Sequence, residues 1–265
     1  MGRDAGQHED GGRGHRLKVT TMQPEVSRHK QAERRLAVMQ PYFFPYLGYF
    51  QLMSKVDAFV LYDDVNFINR GWINRNRIHI NGAAHMLTVP LQQASQNRLI
   101  CDIAVSDDTA WRNRIVKSIQ QAYARSPQFE RVFPLIERIV HHPAKNLADY
   151  LMHSLTCLCD HLGLKTEIIA SSRRYRNANL KAQARIIDIC LRERADLYVN
   201  SIGGLELYDR AHFEESGLKL MFLTPSLQPG GPVAASFMPG LSIIDVLMHS
   251  DAASLDAQLQ GGILS

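Results

Sequence analysis

Two polar groups in this sequence could carry chemistry, and the first follows the apolar run Phe59–Tyr62 directly. Asp63 and Asp64 end that run, and one of these carboxylates could hold a metal-bound phosphate or act as a general base. Adjacent carboxylates on a strand point to opposite faces, so we expect at most one of them to be buried. A capping pair at the strand exit is the alternative interpretation.

The second group is a dense polar cluster further along the chain. The forked guanidinium group of arginine suits phosphate or carboxylate, asparagine suits sugar hydroxyls, and Trp72 could stack on a base or a sugar. Alternation predicts that Arg75 and Arg77 face away from the other members. A solvated hairpin is the alternative. The members are Arg70, Trp72, Asn74, Arg75, Asn76 and Arg77, and Gln96 and Asn97 extend the same polar surface.

The remaining candidates lie around two glycine-containing turns. Gly48 could let a phosphate approach the backbone at a helix N-terminus, although tight aromatic packing explains it equally well. Gly203 and Gly204 allow close backbone approach at a later strand end, where an ordinary turn is the alternative. These candidates are Gln40, Tyr46, Gly48, Tyr49, Asn200, Gly203, Gly204, Glu206 and Tyr208, with Tyr49 grouped with the two aspartates as catalytic.

The elements that must position these residues alternate between strands and helices, which predicts an α/β fold. We expect a mostly parallel Rossmann-like sheet, with a helical insertion at about residues 105–162. Asn81-Gly82 is a two-residue hairpin turn, and it predicts an appended β-hairpin from Trp72–Ile80 and Ala84–Leu91. Because ligands bind outside the carboxyl ends of parallel strands, the site is expected at that edge.

Composition limits the domain organisation and the partners. Residues 1–35 hold eight Lys/Arg and five Asp/Glu, a net charge of +3, which leaves +1 of the total +4 for the rest. Residues 1–33 are predicted to be a disordered tail and residues 34–265 a single α/β domain. A nearly neutral body argues against nucleic-acid binding. Without a long apolar run or a signal-peptide core, no membrane span is expected and the predicted location is cytoplasmic.

No metal or nucleophile motif appears in the sequence. The histidines form no ligand set, and neither a Walker motif nor G-x-S-x-G is present. We therefore expect no structural zinc and exclude hydrolase and P-loop classes. Four buried, reduced thiols are expected in a cytosolic protein, at Cys101, Cys157, Cys159 and Cys190.

Several long motifs resemble the WbqC-like family over about Leu36 to Ser250. They read M-Q-P-Y-F-F-P-Y-L-G-Y-F-Q-L, Y-D-D-V-N-F-I-N-R-G-W-I-N-R-N-R-I, A-S-Q-N-R-L-I, Y-V-N-S-I-G-G-L-E-L-Y and F-M-P-G-L-S-I-I-D-V-L-M. Members of that family occur with genes for bacterial surface polysaccharides and O-antigens. The resemblance therefore implies a pathway and does not supply a mechanism.

A more distant resemblance is to the nucleotidylyltransferase and pantothenate-synthetase superfamily. Its first helix opens with H-x-G-H, and here the corresponding residues are Tyr46-Leu47-Gly48-Tyr49. In that superfamily the histidines contact nucleotide phosphates and stabilise charge during adenylyl transfer. Tyrosine is neutral near pH 7, so this departure questions standard adenylyl transfer and still allows a nucleotide-binding pocket.

The resemblances imply a transferase or an ATP-dependent amide ligase that places an acyl or aminoacyl group on an amino sugar. The substrate would be a nucleotide-sugar or an amino sugar, with ATP and Mg²⁺ as cofactors in the ligase case. In this hypothesis Arg70 and Arg77 bind phosphate, Asn74 orients the sugar, and Asp63 is a base or magnesium ligand. A non-catalytic nucleotide-sugar-binding protein and a sugar-phosphate nucleotidylyltransferase are the alternatives. A homodimer is left open.

Overall fold

A computed structural model of the chain describes residues 33–227 and 238–265. Glu33–Ser265 forms one compact unit. The predicted disordered tail, apart from Glu33, lies outside the described residues. The prediction of a single domain from residue 34 onwards stays a prediction.

Strands and helices alternate along the described part of the chain. The strands are β1 Arg35–Met39, β2 Ala58–Leu61, β3 Arg75–Ile80, β4 Ala83–Thr88, β5 Leu91–Gln92, β6 Ala104–Val105, β7 Glu167–Ile169, β8 Leu197–Ser201, β9 Lys219–Thr224 and β10 Ile263–Leu264. The helices are α1 Leu47–Ser54, α2 Ala110–Tyr123, α3 Phe129–Val140, α4 Leu147–Leu162, α5 Ala182–Arg192, α6 Arg210–Glu215, α7 Ile243–His249 and α8 Ala252–Leu259.

In the described part of the chain, the main sheet has the strand order β10-β9-β8-β1-β2-β7. The pairs among β9, β8, β1, β2 and β7 are parallel, and β10 joins β9 antiparallel. Renumbered along the chain, this is the 3-2-1-4-5-6 order of dinucleotide-binding sheets. The predicted mostly parallel, Rossmann-like α/β fold is confirmed.

Helices cover both faces of this sheet, which explains why its central strands are apolar throughout. One face contributes Ala37 and Phe59 to a core that also contains α1 and the helices of the insertion. The opposite face contributes Val38 and Val60 to a core shared with Ile189 of α5. Successive side chains of β1 and β2 thus enter different cores, as the two-residue period of a strand requires.

The predicted helical insertion is confirmed as α2, α3 and α4, which lie between β2 and β7 in sequence. Asn146 caps α4, because its side-chain oxygen accepts a hydrogen bond from the backbone N–H of Ala148 at 2.8 Å. Gly163 ends the helix in the left-handed conformation, with φ 68°. The local sequence signals therefore set both ends of α4.

The appended hairpin is confirmed as the antiparallel pair β3 and β4. Its turn residues Asn81 and Gly82 both have positive φ, 49° and 83°, as a two-residue hairpin turn requires. β3 begins at Arg75 and not at Trp72 as predicted. The short β5–β6 pair, α8 and β10 were not predicted.

The four cysteines are all buried and free. Within residues 33–227 and 238–265, no helix combines the length and the apolar character that a bilayer crossing needs.

Candidate functional site

The candidate site lies at the carboxyl edge of the main sheet, between β1 and β8. The chain passes from β1 to β2 and β7 on one side, and then returns to β8 and β9 on the other. This change of direction leaves a crevice at the strand ends, where ligands of open α/β sheets bind. Gln40 follows β1, and Asn200 and Ser201 end β8. The fold thus brings predicted site residues from distant parts of the sequence to one crevice.

Tyr46 closes one side of this crevice. It is the half-buried N-cap residue of α1. Burial raises the pKa of its hydroxyl, and interaction with the Ser201 side chain partly opposes that rise. Burial and the neighbouring Tyr46 also raise the pKa of Tyr42. Both phenols are therefore neutral at physiological pH, and each offers a hydrogen-bond donor to a sugar hydroxyl or a phosphate oxygen.

The loop that carries Tyr46 contains a strained residue. Phe44 is fully buried and has φ 42°, a backbone conformation that bulky side chains rarely adopt. The Asn76 amide of β3 donates hydrogen bonds to the carbonyl oxygens of Phe43 at 3.2 Å and Phe44 at 2.8 Å. Strained backbone of this kind persists where the surroundings fix it, and it is common at ligand sites. The β3–β4 hairpin therefore fixes the conformation of the loop before α1, which borders the crevice.

Protein atoms fill the space beside Gly48, where a phosphate contact was predicted. A Cβ atom at this position would overlap the Tyr46 ring and would lie 2.8 Å from Cβ of Pro225. The structure gives Gly48 a packing role at the start of α1. Its contact with a ligand phosphate stays a prediction.

Tyr49 supports the end of β1 from inside the core. Only 2% of its surface is exposed, and its hydroxyl donates a hydrogen bond to the carbonyl oxygen of Gln40 at 3.0 Å. Burial raises the pKa of this phenol well above its ordinary value. The observed contact fits a positioning role for Tyr49, and its predicted catalytic role stays a prediction.

The expectation that at most one of the two aspartates is buried was wrong, because Asp63 is 3% and Asp64 8% exposed. β2 ends at Leu61, so both lie in the following loop, where strand alternation does not apply. Oδ1 of Asp63 accepts hydrogen bonds from the Ser171 hydroxyl at 2.7 Å and from the Ser172 N–H at 3.1 Å. These contacts join the carboxyl ends of β2 and β7.

Asp64 belongs to a buried ion pair. Its Oδ2 lies 2.5 Å from Nη2 of Arg185, which is on α5, and the Ser172 hydroxyl donates to its Oδ1. The Arg185 guanidinium also donates to Oδ1 of Asn177 at 3.0 Å and lies 4.9 Å from the centre of the Tyr62 ring. The charge of Asp64 is therefore paired with that of Arg185, and this ion pair links the loop after β2 to α5.

Asp63 is the candidate with the clearest potential for proton transfer. Burial raises its pKa above the ordinary value, and the hydrogen bonds from Ser171 and Ser172 only partly offset this effect. A raised pKa in the folded state means that the contribution of Asp63 to stability is lost as pH rises through that pKa. A carboxyl group whose pKa is moved from its ordinary value towards neutrality is better suited to general acid–base work.

Replacing Asp63 by asparagine is therefore expected to change the pH dependence of stability. The free energy of unfolding of the wild type, minus that of Asp63→Asn, should fall as pH rises from mild acid to neutrality. Urea unfolding over this pH range measures the difference, and Asp160→Asn, which removes an exposed carboxyl, is the matched control. A difference that grows with pH would contradict the raised pKa.

Asn200 and Gly204 are coupled by packing. Asn200 is 5% exposed, and its Oδ1 accepts a hydrogen bond from the backbone N–H of Ser201 at 2.8 Å. A Cβ atom on Gly204 would overlap the side-chain amide of Asn200. The glycine therefore leaves room for the Asn200 side chain, and its predicted contact with substrate stays a prediction.

The variant Gly204→Ala should displace the Asn200 amide and cost about 1–3 kcal/mol of stability, as overpacking of a buried site does. The double variant Asn200→Ala/Gly204→Ala should lose less stability than the sum of the two single variants, because the overlapping amide is absent. Denaturant unfolding of the three variants measures the coupling. Additive losses would contradict the packing account. Gly203→Ala is the control, since a Cβ atom added there would lie 3.9 Å from Oγ of Ser201, an ordinary contact distance.

The other candidates after β8 lie in different environments. Gly203 and Glu206 are exposed in the 3₁₀ segment Ile202–Leu207. Tyr208 is half-buried, and its ring packs against Tyr198 at 5.7 Å. Tyr208 thus belongs to the packing between the sheet and α6.

The predicted division of the polar cluster into two faces was wrong for its first residues, because only residues from Arg75 onwards lie in β3. Arg70 is exposed with φ 61°, and Trp72 is 38% exposed with the Arg77 guanidinium 5.2 Å from its ring centre. The Asn74 amide donates to the carbonyl oxygen of Val89 at 2.8 Å.

Within β3 the alternation is as expected, since Asn76 is buried between the partly exposed Arg75 and Arg77. The side-chain amides of Asn74 and Asn76 donate hydrogen bonds to backbone carbonyl oxygens, and the arginines of the cluster are more accessible.

Gln96 and Asn97 are exposed in a loop that is tied to the segment after β2. The backbone N–H of Phe67 donates to Arg98 at 2.8 Å, and that of Ile100 donates to Val65 at 3.0 Å. The fold therefore places both residues near the same edge of the sheet as the aspartates.

Reasoning from the sequence did not identify four residues that bond to Asp63, Asp64 or Arg185, or that supply the ion pair itself. The pair after β7 had a usable signal, because it follows an apolar run and must reach the same edge as Asp63. The arginine on α5 had a weaker signal, because it is a single charged residue beside isoleucines that face the core. These residues are Ser171, Ser172, Asn177 and Arg185.

The residues at this edge do not form a ready magnesium site. Asp64 is committed to Arg185, and Oδ1 of Asp63 already accepts hydrogen bonds from two serines. Among the residues that the structure describes, no group of three or more His, Cys, Asp or Glu side chains is arranged to hold a metal. ATP and Mg²⁺ stay predictions.

Comparison with known sequences identifies the family. The sequence profile of the WbqC-like protein family matches residues 40–257, which is most of the chain. The chain belongs to the WbqC-like protein family. The predicted family is confirmed, and the match covers the crevice residues Gln40, Tyr46 and Ser201, the hairpin and the insertion of this WbqC-like chain. The resemblance to nucleotidylyltransferases stays a prediction.

A curated relative of this WbqC-like chain is the uncharacterized protein Rv1507c of Mycobacterium tuberculosis (strain ATCC 25618 / H37Rv). The two sequences are 26% identical over 225 residues, which cover 84% of this chain and 96% of the relative. No solved structure matches the chain significantly.

Proposed function

We propose that this WbqC-like chain binds a nucleotide-sugar or amino sugar in the crevice between β1 and β8 and transfers an acyl or aminoacyl group to its amine. The observation that supports this proposal best is the meeting of Gln40, Tyr46 and Ser201 at the change of direction of a Rossmann-ordered sheet. The resemblance to proteins associated with surface polysaccharides supports an amino-sugar precursor as the substrate.

Asp63 is the proposed general base. In amide formation the sugar amine attacks the carbonyl carbon of an activated acyl donor, such as a thioester or an acyl adenylate. A carbon–nitrogen bond forms, the bond to the thiolate or phosphate leaving group breaks, and the amine loses a proton. Oδ1 of Asp63 is occupied by Ser171 and Ser172, so its Oδ2 would take that proton.

Polar groups of the crevice would orient the sugar for this transfer. The half-buried Tyr46 hydroxyl and the Gln40 amide match the donor and acceptor pattern of sugar hydroxyls. Arg77 would contribute a charge for a ligand phosphate, since Nη2 of Arg77 would lie 3.8 Å from a Cβ atom on Gly240, which lines a pocket with Tyr46. Mg²⁺ is not needed for any of these contacts.

A non-catalytic sugar-binding role is the second candidate, and a specific observation favours it. Two of the three predicted catalytic residues are already used for structural contacts, Asp64 with Arg185 and Tyr49 with Gln40. A protein of this kind would hold the same ligand and present it to a partner enzyme.

Mass spectrometry of the purified full chain, incubated with a nucleotide-linked amino sugar and an acyl thioester, or ATP, Mg²⁺ and a carboxylic acid, tests the transfer. An acylated sugar formed by the wild type and lost in Asp63→Asn, with binding retained, is the expected result. Binding without product would support the non-catalytic candidate. Pyrophosphate release from a sugar phosphate and a nucleoside triphosphate would instead indicate a nucleotidylyltransferase.

A further inference from the structure

One stretch of the chain concentrates positive charge. Residues 65–101 contain four arginines, Arg70, Arg75, Arg77 and Arg98. They contain no Asp, Glu or Lys. Their net charge of +4 equals that of the entire chain, so the remaining residues sum to zero. A local charge excess of this kind attracts an anionic partner.

These arginines have no carboxylate partner in residues 33–227 and 238–265, where all the described ion pairs involve other cations. Arg75 donates to backbone oxygens of Arg70 and Gly71, and Arg98 donates to the backbone oxygen of Gln93 at 3.4 Å. Their charges are therefore not neutralised by the described part of the protein.

Large apolar side chains are exposed among the same arginines. Ile68 is 49% and Trp72 38% exposed. Trp72 directly follows the turn that begins at Ile68, in which the backbone N–H of Gly71 donates to the carbonyl oxygen of Ile68 at 3.1 Å. We call the surface that these contacts connect the Arg–Trp patch. It consists of Ile68, Arg70, Trp72, Arg75 and Arg98, and Arg77 borders it through its contact with the Trp72 ring.

We propose that the Arg–Trp patch docks on the surface of an anionic lipid bilayer. Clustered arginines are attracted to anionic headgroups, and tryptophan with an aliphatic neighbour is suited to the boundary between headgroups and acyl chains. The exposed Ile68 beside Trp72 favours a bilayer over a nucleic acid, because such an apolar pair can enter the boundary between headgroups and acyl chains. This reassigns Arg70, Trp72 and Arg75 from the predicted substrate site to membrane contact.

The position of the Arg–Trp patch relative to the crevice explains what contact with a bilayer would achieve. The segment that carries Ile68 and Trp72 leaves the carboxyl end of β2, which is the edge where the crevice opens. Docking through this edge would hold the crevice close to the headgroup region. The proposal does not depend on acyl transfer, because bilayer binding and product formation are measured separately.

Flotation of the purified full chain with vesicles tests the proposal. The wild type should float with vesicles that contain phosphatidylglycerol, not with pure phosphatidylcholine vesicles, and less in high salt. Ile68→Ser/Trp72→Ser should bind at least tenfold more weakly. Arg70→Gln/Arg98→Gln should bind roughly twenty-five-fold more weakly, at about fivefold for each arginine. Thermal melts establish that the variants fold.

Matched control variants change residues outside the patch. Leu191→Ser removes a 51% exposed apolar side chain of α5, and Arg114→Gln removes an exposed arginine of α2. Both should bind like the wild type. Equal binding by the patch variants and the wild type would overturn the proposal. So would retention on a single-stranded oligonucleotide with no vesicle binding, or no binding of the wild type to either vesicle.

Discussion

The variant Arg185→Met is expected to lower the free energy of unfolding by about 3–5 kcal/mol, because it leaves a buried charge without its partner. Arg185 is 4% and Asp64 8% exposed, and their charged atoms are 2.5 Å apart. Methionine keeps much of the side-chain volume, so the loss reports the charge more than a cavity. Urea denaturation followed by circular dichroism measures it.

The double variant Asp64→Asn/Arg185→Met separates the charge from the other contacts of Arg185. With both charges removed, most of the lost stability should return, since an apolar or neutral replacement of a buried pair is often tolerated. Arg114→Met is the control, because Arg114 is 67% exposed and its ion pair with Asp108 is long, at 3.9 Å. A loss below about 1 kcal/mol in Arg185→Met would contradict the buried-pair account.

The variant Asn76→Ala should have the second large effect. It removes the hydrogen bonds to the carbonyl oxygens of Phe43 and Phe44, and each buried carbonyl left unsatisfied costs about 1–3 kcal/mol. The strained φ of Phe44 would then be free to relax, and the loop that carries Tyr46 would shift. We therefore expect a loss of stability of about 2 kcal/mol or more, together with weaker ligand binding.

Denaturant unfolding and ligand titration of the same preparations measure the two effects of Asn76→Ala. Asn113→Ala is the matched control, because Asn113 is exposed and bonds only to a histidine side chain, His141, at 3.2 Å. Normal binding by an Asn76→Ala protein that has lost stability would show that the loop does not shape the crevice.

The sheet could be predicted because its signals are local. Fully apolar runs such as Phe59–Tyr62 identify buried parallel strands, and Asn81-Gly82 fixes the hairpin turn. The carboxyl-edge rule then placed Gln40, Asp63 and Asn200 at one edge without any contact information. Strand and helix periods were sufficient for these conclusions.

The contacts of the individual side chains could not be predicted, because they depend on partners far away in the sequence. Asp64 looks like a free carboxylate until α5 brings Arg185 to it, and Asn76 looks like a sugar ligand until its amide meets the loop at Phe44. The same ambiguity affects Gly48, where phosphate approach and aromatic packing demand the same residue. Residue types therefore identified the region of the site better than the role of each member.

Isothermal titration calorimetry with a nucleotide-linked amino sugar tests the central claim, that the ligand binds in the crevice between β1 and β8. Tyr46→Phe and Gln40→Ala should each weaken binding at least tenfold, the effect of about 1.4 kcal/mol from a lost hydrogen bond. Tyr175→Phe, which removes a hydroxyl bonded to Glu193 at 2.8 Å, should bind like the wild type. Equal affinities of the wild type, Tyr46→Phe and Gln40→Ala would contradict the claim.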